Sequence, residues 1–163
     1  MGAGKTTIGR QLAKKLSLKF YDSDHEIEKR TGVKISLIFE IEGEEGFRRR
    51  ETQVLSELSQ LNNVVLSTGG GAMTQAENRE LLKRNGYIIY LKSSPEMLFK
   101  RTADDKRRPL LQGDNRLEQI INILNEREPV YIEMADEIIN SEKMSIKQII
   151  QKIVEKINKD ENH

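Results

Sequence analysis

The chain holds 163 residues, 33% of them charged, with a net charge of +1 and no cysteine. That length suits one domain with a substantial core; the near-neutral balance argues against nucleic acid held by bulk electrostatics, and the lack of thiols excludes disulfides and thiolate metal centres. Nothing resembles a signal peptide and no apolar run approaches the ~18 residues of a membrane span, so a cytoplasmic protein with no membrane partner is expected.

The opening residues, Gly2-Ala3-Gly4-Lys5-Thr6-Thr7, read as the second half of a phosphate-binding loop, G-x-x-x-x-G-K-[ST]. They lead into a helix with Ile8, Leu12 and Leu16 inward and Arg10, Lys14 and Lys15 outward. Glycines let backbone N–H groups curl around phosphate oxygens. Lys5 would neutralise the outer phosphates, the Thr6 hydroxyl would hold Mg²⁺, and the helix dipole adds to both. The motif's first glycine would fall two residues before Met1, and so would the strand that feeds such a loop. The expected sheet therefore lacks its first strand, and the loop lacks part of its phosphate contacts.

Leu18–Tyr21 follows as a short strand. Ser23 reads as an N-cap, with Glu26 completing a capping box on a helix that runs to Gly32. Ile35–Ile41 is a second helical piece, and Glu44–Leu61 a longer helix with Phe47, Val54, Leu55 and Leu58 on its apolar side. Val64–Ser67 is a strand entering Gly69-Gly70-Gly71, then a helix covers about Gln75–Arg84. Tyr87–Leu91 reads as a buried strand, and Pro95 opens a further helix. Asp104–Gly113 has the composition of a mobile loop. Leu117–Arg127 is helical, Glu137–Asn140 a last strand, and the closing helix lines up Ile146, Ile149, Ile150, Ile153, Val154 and Ile157. Strands alternating with helices imply an α/β fold with a parallel sheet covered on both faces, its ligands beyond the carboxyl ends of the strands.

Several residues could carry chemistry there. Asp22 and Asp24 sit two apart after a strand, suited to a metal water and a substrate proton, or else to capping the next helix. Three glycines after a strand cost backbone entropy, which close approach to a ligand or another segment would justify; a plain turn is the alternative. Arg48, Arg49 and Arg50 splay around a helix, so at most two enter one pocket while the others pair with Glu44, Glu45 or Glu51. Arg108, within Lys106–Pro109, could swing over a phosphate or be one of a solvated run. Arg127, before Pro129, could offset a helix dipole. His25 has no partner at metal-ligand spacing.

Together these stretches resemble shikimate kinase. The resemblance rests on G-A-G-K-T-T-I-G-R-Q-L-A at the start, D-S-D-H-E-I-E from Asp22, T-G-x-x-I from Thr31, F-R-R-R-E at Phe47–Glu51, S-T-G-G-G-A at Ser67–Ala72, R-R-P-L-L at Arg107–Leu111 and R-E-P-V-Y at Arg127–Tyr131, in family order across nearly the whole chain. It implies a P-loop kinase of the nucleoside-monophosphate-kinase type. The sheet would have five parallel strands, the first absent here, within a single domain over residues 1–163. A substrate-binding insert would cover about residues 23–61 and a lid about 104–115.

It further implies ATP-dependent phosphorylation of the shikimate 3-hydroxyl, with Mg²⁺, in aromatic amino-acid biosynthesis. Gly2, Ala3, Gly4, Lys5, Thr6 and Thr7 would cradle the phosphates, with Thr6 on the metal and Asp22 holding it through water. Asp24 would bind substrate hydroxyls and act as base. Arg48 and Arg127 would clamp the carboxylate, and Gly69, Gly70 and Gly71 would offer backbone N–H groups. Arg108 would reach the transferring phosphate, Arg101 would stack on adenine, and Phe39, Phe47, Pro109 and Leu110 would line the apolar side of the ring. The physics agrees: forked guanidinium donors suit a carboxylate, and phosphoryl transfer asks mainly for alignment and charge neutralisation.

Two other readings stand beside it: another small-molecule kinase of the same fold, gluconate-like or acting on nucleotides, and a non-catalytic nucleotide-binding module. A monomer acting on a small molecule, without nucleic acid, is the simplest expectation.

Overall fold

The computed structural model describes residues 4–103 and 115–162. Gly2, Ala3 and the expected lid, including Arg108, Pro109 and Leu110, lie outside the described residues. The described chain alternates helices and strands: α1 (Lys5–Leu16), β1 (Lys19–Asp22), α2 (Ser23–Thr31), α3 (Ile35–Leu58), β2 (Val64–Ser67), a 3₁₀ turn (Gly70–Thr74), α4 (Ala76–Asn85), β3 (Ile89–Lys92), α5 (Pro95–Thr102), α6 (Arg116–Met134), β4 (Glu137–Asn140) and α7 (Ile146–Glu161).

Four strands form two parallel pairs. β1 runs beside β2 with Lys19 opposite Val64 and Asp22 opposite Ser67; β3 runs beside β4 with Ile89 opposite Glu137 and Lys92 opposite Asn140. Among the described residues β2 and β3 do not pair with each other. A cleft of about 500 Å³ separates them. On one face α1 and α7 pack Ile8, Leu12, Ile149, Ile150 and Ile153 around Ile139, with Val65, Ile89 and Leu91 turned toward them. On the other, Leu55, Ala72, Met73 and Met134 gather with Leu66 and Ile88. This double covering is what a parallel sheet requires, because crossover helices lie on both faces.

Local chemistry explains most boundaries. Gly32 closes α2 at φ 73°, where its N–H bonds the Glu28 carbonyl. Ser94 caps α5 by accepting from Met97 N–H, and Pro95 opens that helix. Ser145 and Gln148 form a reciprocal capping box at the start of α7.

Four expectations are corrected. The N-cap of α2 is Asp22, whose carboxylate accepts from His25 N–H at 3.1 Å. Ser23 is buried and accepts from Gly69 N–H instead. The two helical pieces before β2 join as α3, broken only at Gly43 (φ 72°, ψ −179°), and α3 stops at Leu58 rather than Leu61. The strand expected over Tyr87–Leu91 begins at Ile89 and is only half-buried; Asp136 takes the Ile88 N–H at 2.7 Å, just before it. Finally, α6 continues through Pro129 to Met134, so Arg127 lies mid-helix. A proline inside a helix costs about 3 kcal/mol. The turn beyond it offsets this by packing Val130, Tyr131 and Met134 into the core.

Gly43 provides a test of the break in α3. A Cβ there would meet nothing within 4 Å, so any cost of Gly43→Ala is purely conformational. Gly43→Ala should lower unfolding free energy by about 1–3 kcal/mol in urea titrations. Gly86→Ala, at an allowed extended φ and with its new methyl at ordinary contact distance, should be neutral or stabilising by up to about 1 kcal/mol.

Candidate active site

The site begins where α1 starts. Gly4 adopts φ 85°, no side chain caps the helix, and its first turn carries no acidic residue. Its N–H groups and dipole are thus left to an anion. The Thr6 hydroxyl donates to Asp22 Oδ2 at 2.9 Å, which brings the loop's hydroxyl to the end of β1. That pair is a fitting donor set for Mg²⁺, a hard cation bound by few protein oxygens together with substrate phosphates. The hydroxyl proton points to Asp22 Oδ2, and the hydroxyl lone pairs remain available. Among the described residues there is no cluster of three or more His, Cys, Asp or Glu side chains that could hold a metal by itself. Lys5 lines the cleft from the first position of α1.

A second group forms around the glycine turn. Ser23 holds Gly69 N–H, and a Cβ at Gly69 would lie 3.0 Å from Glu51 and 3.1 Å from Asp24. The turn therefore threads between two carboxylates. Arg48, 8% exposed, donates to Glu51 at 2.8 Å and to Glu44 at 3.3 Å, and its guanidinium lies 5.1 Å from the Phe47 ring centre. A Cβ at Gly71 would overlap that guanidinium. Tyr131 donates to the Gly70 carbonyl at 2.6 Å and lies beside Arg127, its neighbour one helical turn back. Asp24, Arg48, Gly69–Gly71 and Arg127 are thus brought together.

The arginine triplet pairs as expected at Arg49 and differently at its other two members. Arg48 itself takes Glu44 and Glu51, while Arg49 meets Glu45 and Arg50 folds back on Glu42 across the break at Gly43. Phe39 and Phe47 pack ring to ring, 4.8 Å between centres, with Phe47 buried in the core below the arginine. Arg101 is exposed in the last turn of α5.

Two members of the cluster were not singled out from sequence. Tyr131 is partly buried and has its phenol pushed up, chiefly by desolvation. Glu51 is fully buried, and Oε2 of its carboxyl and Nε of Arg48 have no hydrogen-bond partner. Burial raises the Glu51 pKa to about 7, against opposing pulls from Arg48 and Arg127; nearby Asp24 adds to the rise. The signal that could have found Glu51 is its position one turn beyond Arg48, where i,i+3 side chains meet.

A folded-state pKa raised above the unfolded value of 4.5 means that the folded state holds the proton more tightly. The resulting stabilisation is complete below that value and is lost as pH rises through about 7. Relative to Glu51→Gln, the unaltered protein should therefore lose stability between about pH 4.5 and about pH 7, read as the change in urea midpoint difference. A pH-independent difference would contradict the buried, titrating Glu51.

The comparisons with known proteins agree with this geometry. The profile of the shikimate kinase family matches residues 1–158. A shikimate kinase of Thiobacillus denitrificans is 56% identical over 146 residues, 90% of this chain and 80% of that protein. One of Nitrosococcus oceani is 52% identical over 157 residues, 96% and 83% of the two chains. Among solved structures, shikimate kinase from Acinetobacter baumannii in complex with shikimate superposes with a TM-score of 0.95 at 49% identity, covering 98% of this chain and 89% of that one. A parallel α/β scaffold, an open-ended phosphate-loop helix and a family match over nearly its whole length establish that the chain belongs to the shikimate kinase family, ATP- and Mg²⁺-dependent kinases.

Proposed function

We propose that the chain transfers the γ-phosphoryl group of ATP to the 3-hydroxyl of shikimate, in aromatic amino-acid biosynthesis, through the residues gathered around the glycine turn. The observation that carries the assignment of roles is the convergence of Asp24, Arg48, Arg127 and the Gly69–Gly71 turn beside the Thr6–Asp22 pair. Two arginines and an aspartate around a glycine turn match a small anionic polyol.

In this reading Gly4, Lys5, Thr6 and Thr7, with Gly2 and Ala3, hold the nucleotide phosphates, and Arg101 stacks on adenine. Thr6 and, through water, Asp22 hold the metal. Bound ATP supplies the transferable group, and Mg²⁺ neutralises charge on it. Asp24 orients the substrate hydroxyls and accepts the proton late in transfer, so it needs no strongly shifted pKa. Arg48 and Arg127 grip the carboxylate, and Phe39, Phe47, Pro109 and Leu110 line the ring. Arg108 completes the charge neutralisation from a lid over about 104–115, whose closure excludes the water that would otherwise hydrolyse ATP. The insert over about 23–61 supplies Asp24 and Arg48 to a single domain of residues 1–163. We further propose a cytoplasmic monomer; no described helix is long and apolar enough to cross a membrane.

Release of ADP from ATP·Mg²⁺ should appear with shikimate and not with gluconate or nucleoside monophosphates. Turnover on either of the latter would move the assignment to another small-molecule kinase. Gly71→Ala should act through Arg48, which its methyl displaces. It should raise KM for shikimate by about tenfold or more while KM for ATP stays within about twofold. An equal rise in both constants would argue against a carboxylate role for Arg48.

A further inference from the structure

Tyr131 makes a contact that the roles proposed above leave unused. From α6 its hydroxyl donates to the Gly70 carbonyl at 2.6 Å. Its ring packs on that of Tyr90, 5.1 Å between centres, and Tyr90 is held in turn by donating to Glu128 at 3.0 Å. Desolvation pushes the Tyr131 phenol up from its ordinary value, so the hydroxyl keeps its proton at neutral pH and stays a donor. The start of the same turn is fixed from α2, where fully buried Ser23 accepts from the Gly69 N–H. Of these two holds, the one from Tyr131 falls on the peptide unit that joins Gly70 to Gly71, which has no Cβ on either flank.

We propose that Tyr131 is a positioning residue for the substrate: its hydroxyl stops the Gly70–Gly71 peptide from flipping, so that this unit turns its N–H, and not its carbonyl, to the bound acid. The proposal rests on the reading that the glycine turn receives shikimate. A peptide unit flips when ψ of the residue before it and φ of the residue after it change together. A Cβ on either residue restricts that motion, and here both are missing. The 3₁₀ turn restrains the unit only weakly, because i→i+3 bonds have poor geometry. Its first bond runs from the Ala72 N–H to the Gly69 carbonyl, so the turn itself makes no use of the Gly71 N–H. The described residues contain no cis peptide, hence C=O and N–H of the unit point in opposite directions. With the carbonyl held on Tyr131, the Gly71 N–H is turned away from that hydroxyl. Gly71 itself lies against Arg48, where an added Cβ would overlap the guanidinium. A flip would put a carbonyl oxygen in place of the N–H. That oxygen would repel a carboxylate and offer Arg48 a competing acceptor. The hydroxyl of Tyr131 thus decides the sign of the partial charge that this peptide shows to an anion.

The test uses Tyr131→Phe in the full 163-residue chain, which keeps the ring against Tyr90 and removes only the hydroxyl. Binding is read by calorimetry for ATP, for shikimate and for the neutral carboxamide of shikimate. Tyr131→Phe should weaken shikimate about tenfold while ATP stays within about twofold. The carboxamide, whose NH₂ can meet a flipped carbonyl, should also stay within about twofold. In the protein without ligand, NMR relaxation dispersion should show microsecond-to-millisecond exchange at the Gly71 amide in the variant and none in the unaltered chain. Three outcomes would overturn the proposal. They are unchanged affinity for shikimate, equal losses for shikimate and its carboxamide, as general loosening of the site would give, or a Gly71 amide as quiet in the variant as in the unaltered protein. If the unaltered protein binds no shikimate, the reading of the site falls and the role toward substrate falls with it. The exchange at Gly71 needs no ligand, so it tells that failure apart from a failure of Tyr131 to hold the peptide.

Discussion

A carboxylate with no exposure to solvent sits 2.8 Å from a nearly buried guanidinium, and both lie against a turn built from three glycines. Taking two charges out of water costs several kcal/mol per ion, and the cost is offset only when partners are well placed. Glu51 and Arg48, one turn apart on the second half of α3, offset that cost only in part, since burial still raises the Glu51 pKa to about 7. The pair then dictates its surroundings. A side chain at Gly69 would crowd Glu51 and Asp24, and one at Gly71 would occupy the space of Arg48. The turn is bare because charge already fills the volume around it.

The same pair explains how the proposed substrate grip is prepared. The Nε of Arg48 is buried without a hydrogen-bond partner, and Oε2 of Glu51 likewise. Groups left unpaired at such a cost usually await a ligand or water. The 3₁₀ turn and α6 close round this arrangement through the bond from Tyr131 to Gly70, so that two distant parts of the chain meet at one point. At the other end, Thr6 and Asp22 tie the phosphate-loop helix to the same strand end that leads to Ser23 and Asp24.

How far the fold was legible in the sequence depended on whether local patterns competed with distant partners. Val64–Ser67, Glu137–Asn140 and the isoleucine face of α7 were readable because burial alone sets their periodicity. The cap of α2 was misassigned because Asp22 and Ser23 are both good caps; what decided between them was Gly69, 46 residues away from Ser23. The end of α6 was misplaced for a similar reason. Pro129 is a local stop signal, and the packing of Val130, Tyr131 and Met134 overrides it. At the site, the motifs named Asp24, Arg48 and the glycines. The arginine triplet looks uniform on a helical wheel, however, and Glu51 reads as one more surface acid until its burial is known.

The bond between Tyr131 and Gly70 has a mechanical consequence. α6 is one continuous rod from Arg116 to Met134, and Arg127 and Tyr131 project from successive turns of it. Its near end is anchored to α5 by Arg116, which donates to the Thr102 hydroxyl at 3.2 Å. A tilt of that rod at the Arg116 end would drag a guanidinium and the glycine turn in concert, and a load on the glycines would travel back along the same beam. Grip on one molecule and posture of a neighbouring segment would then be two readings of a single lever.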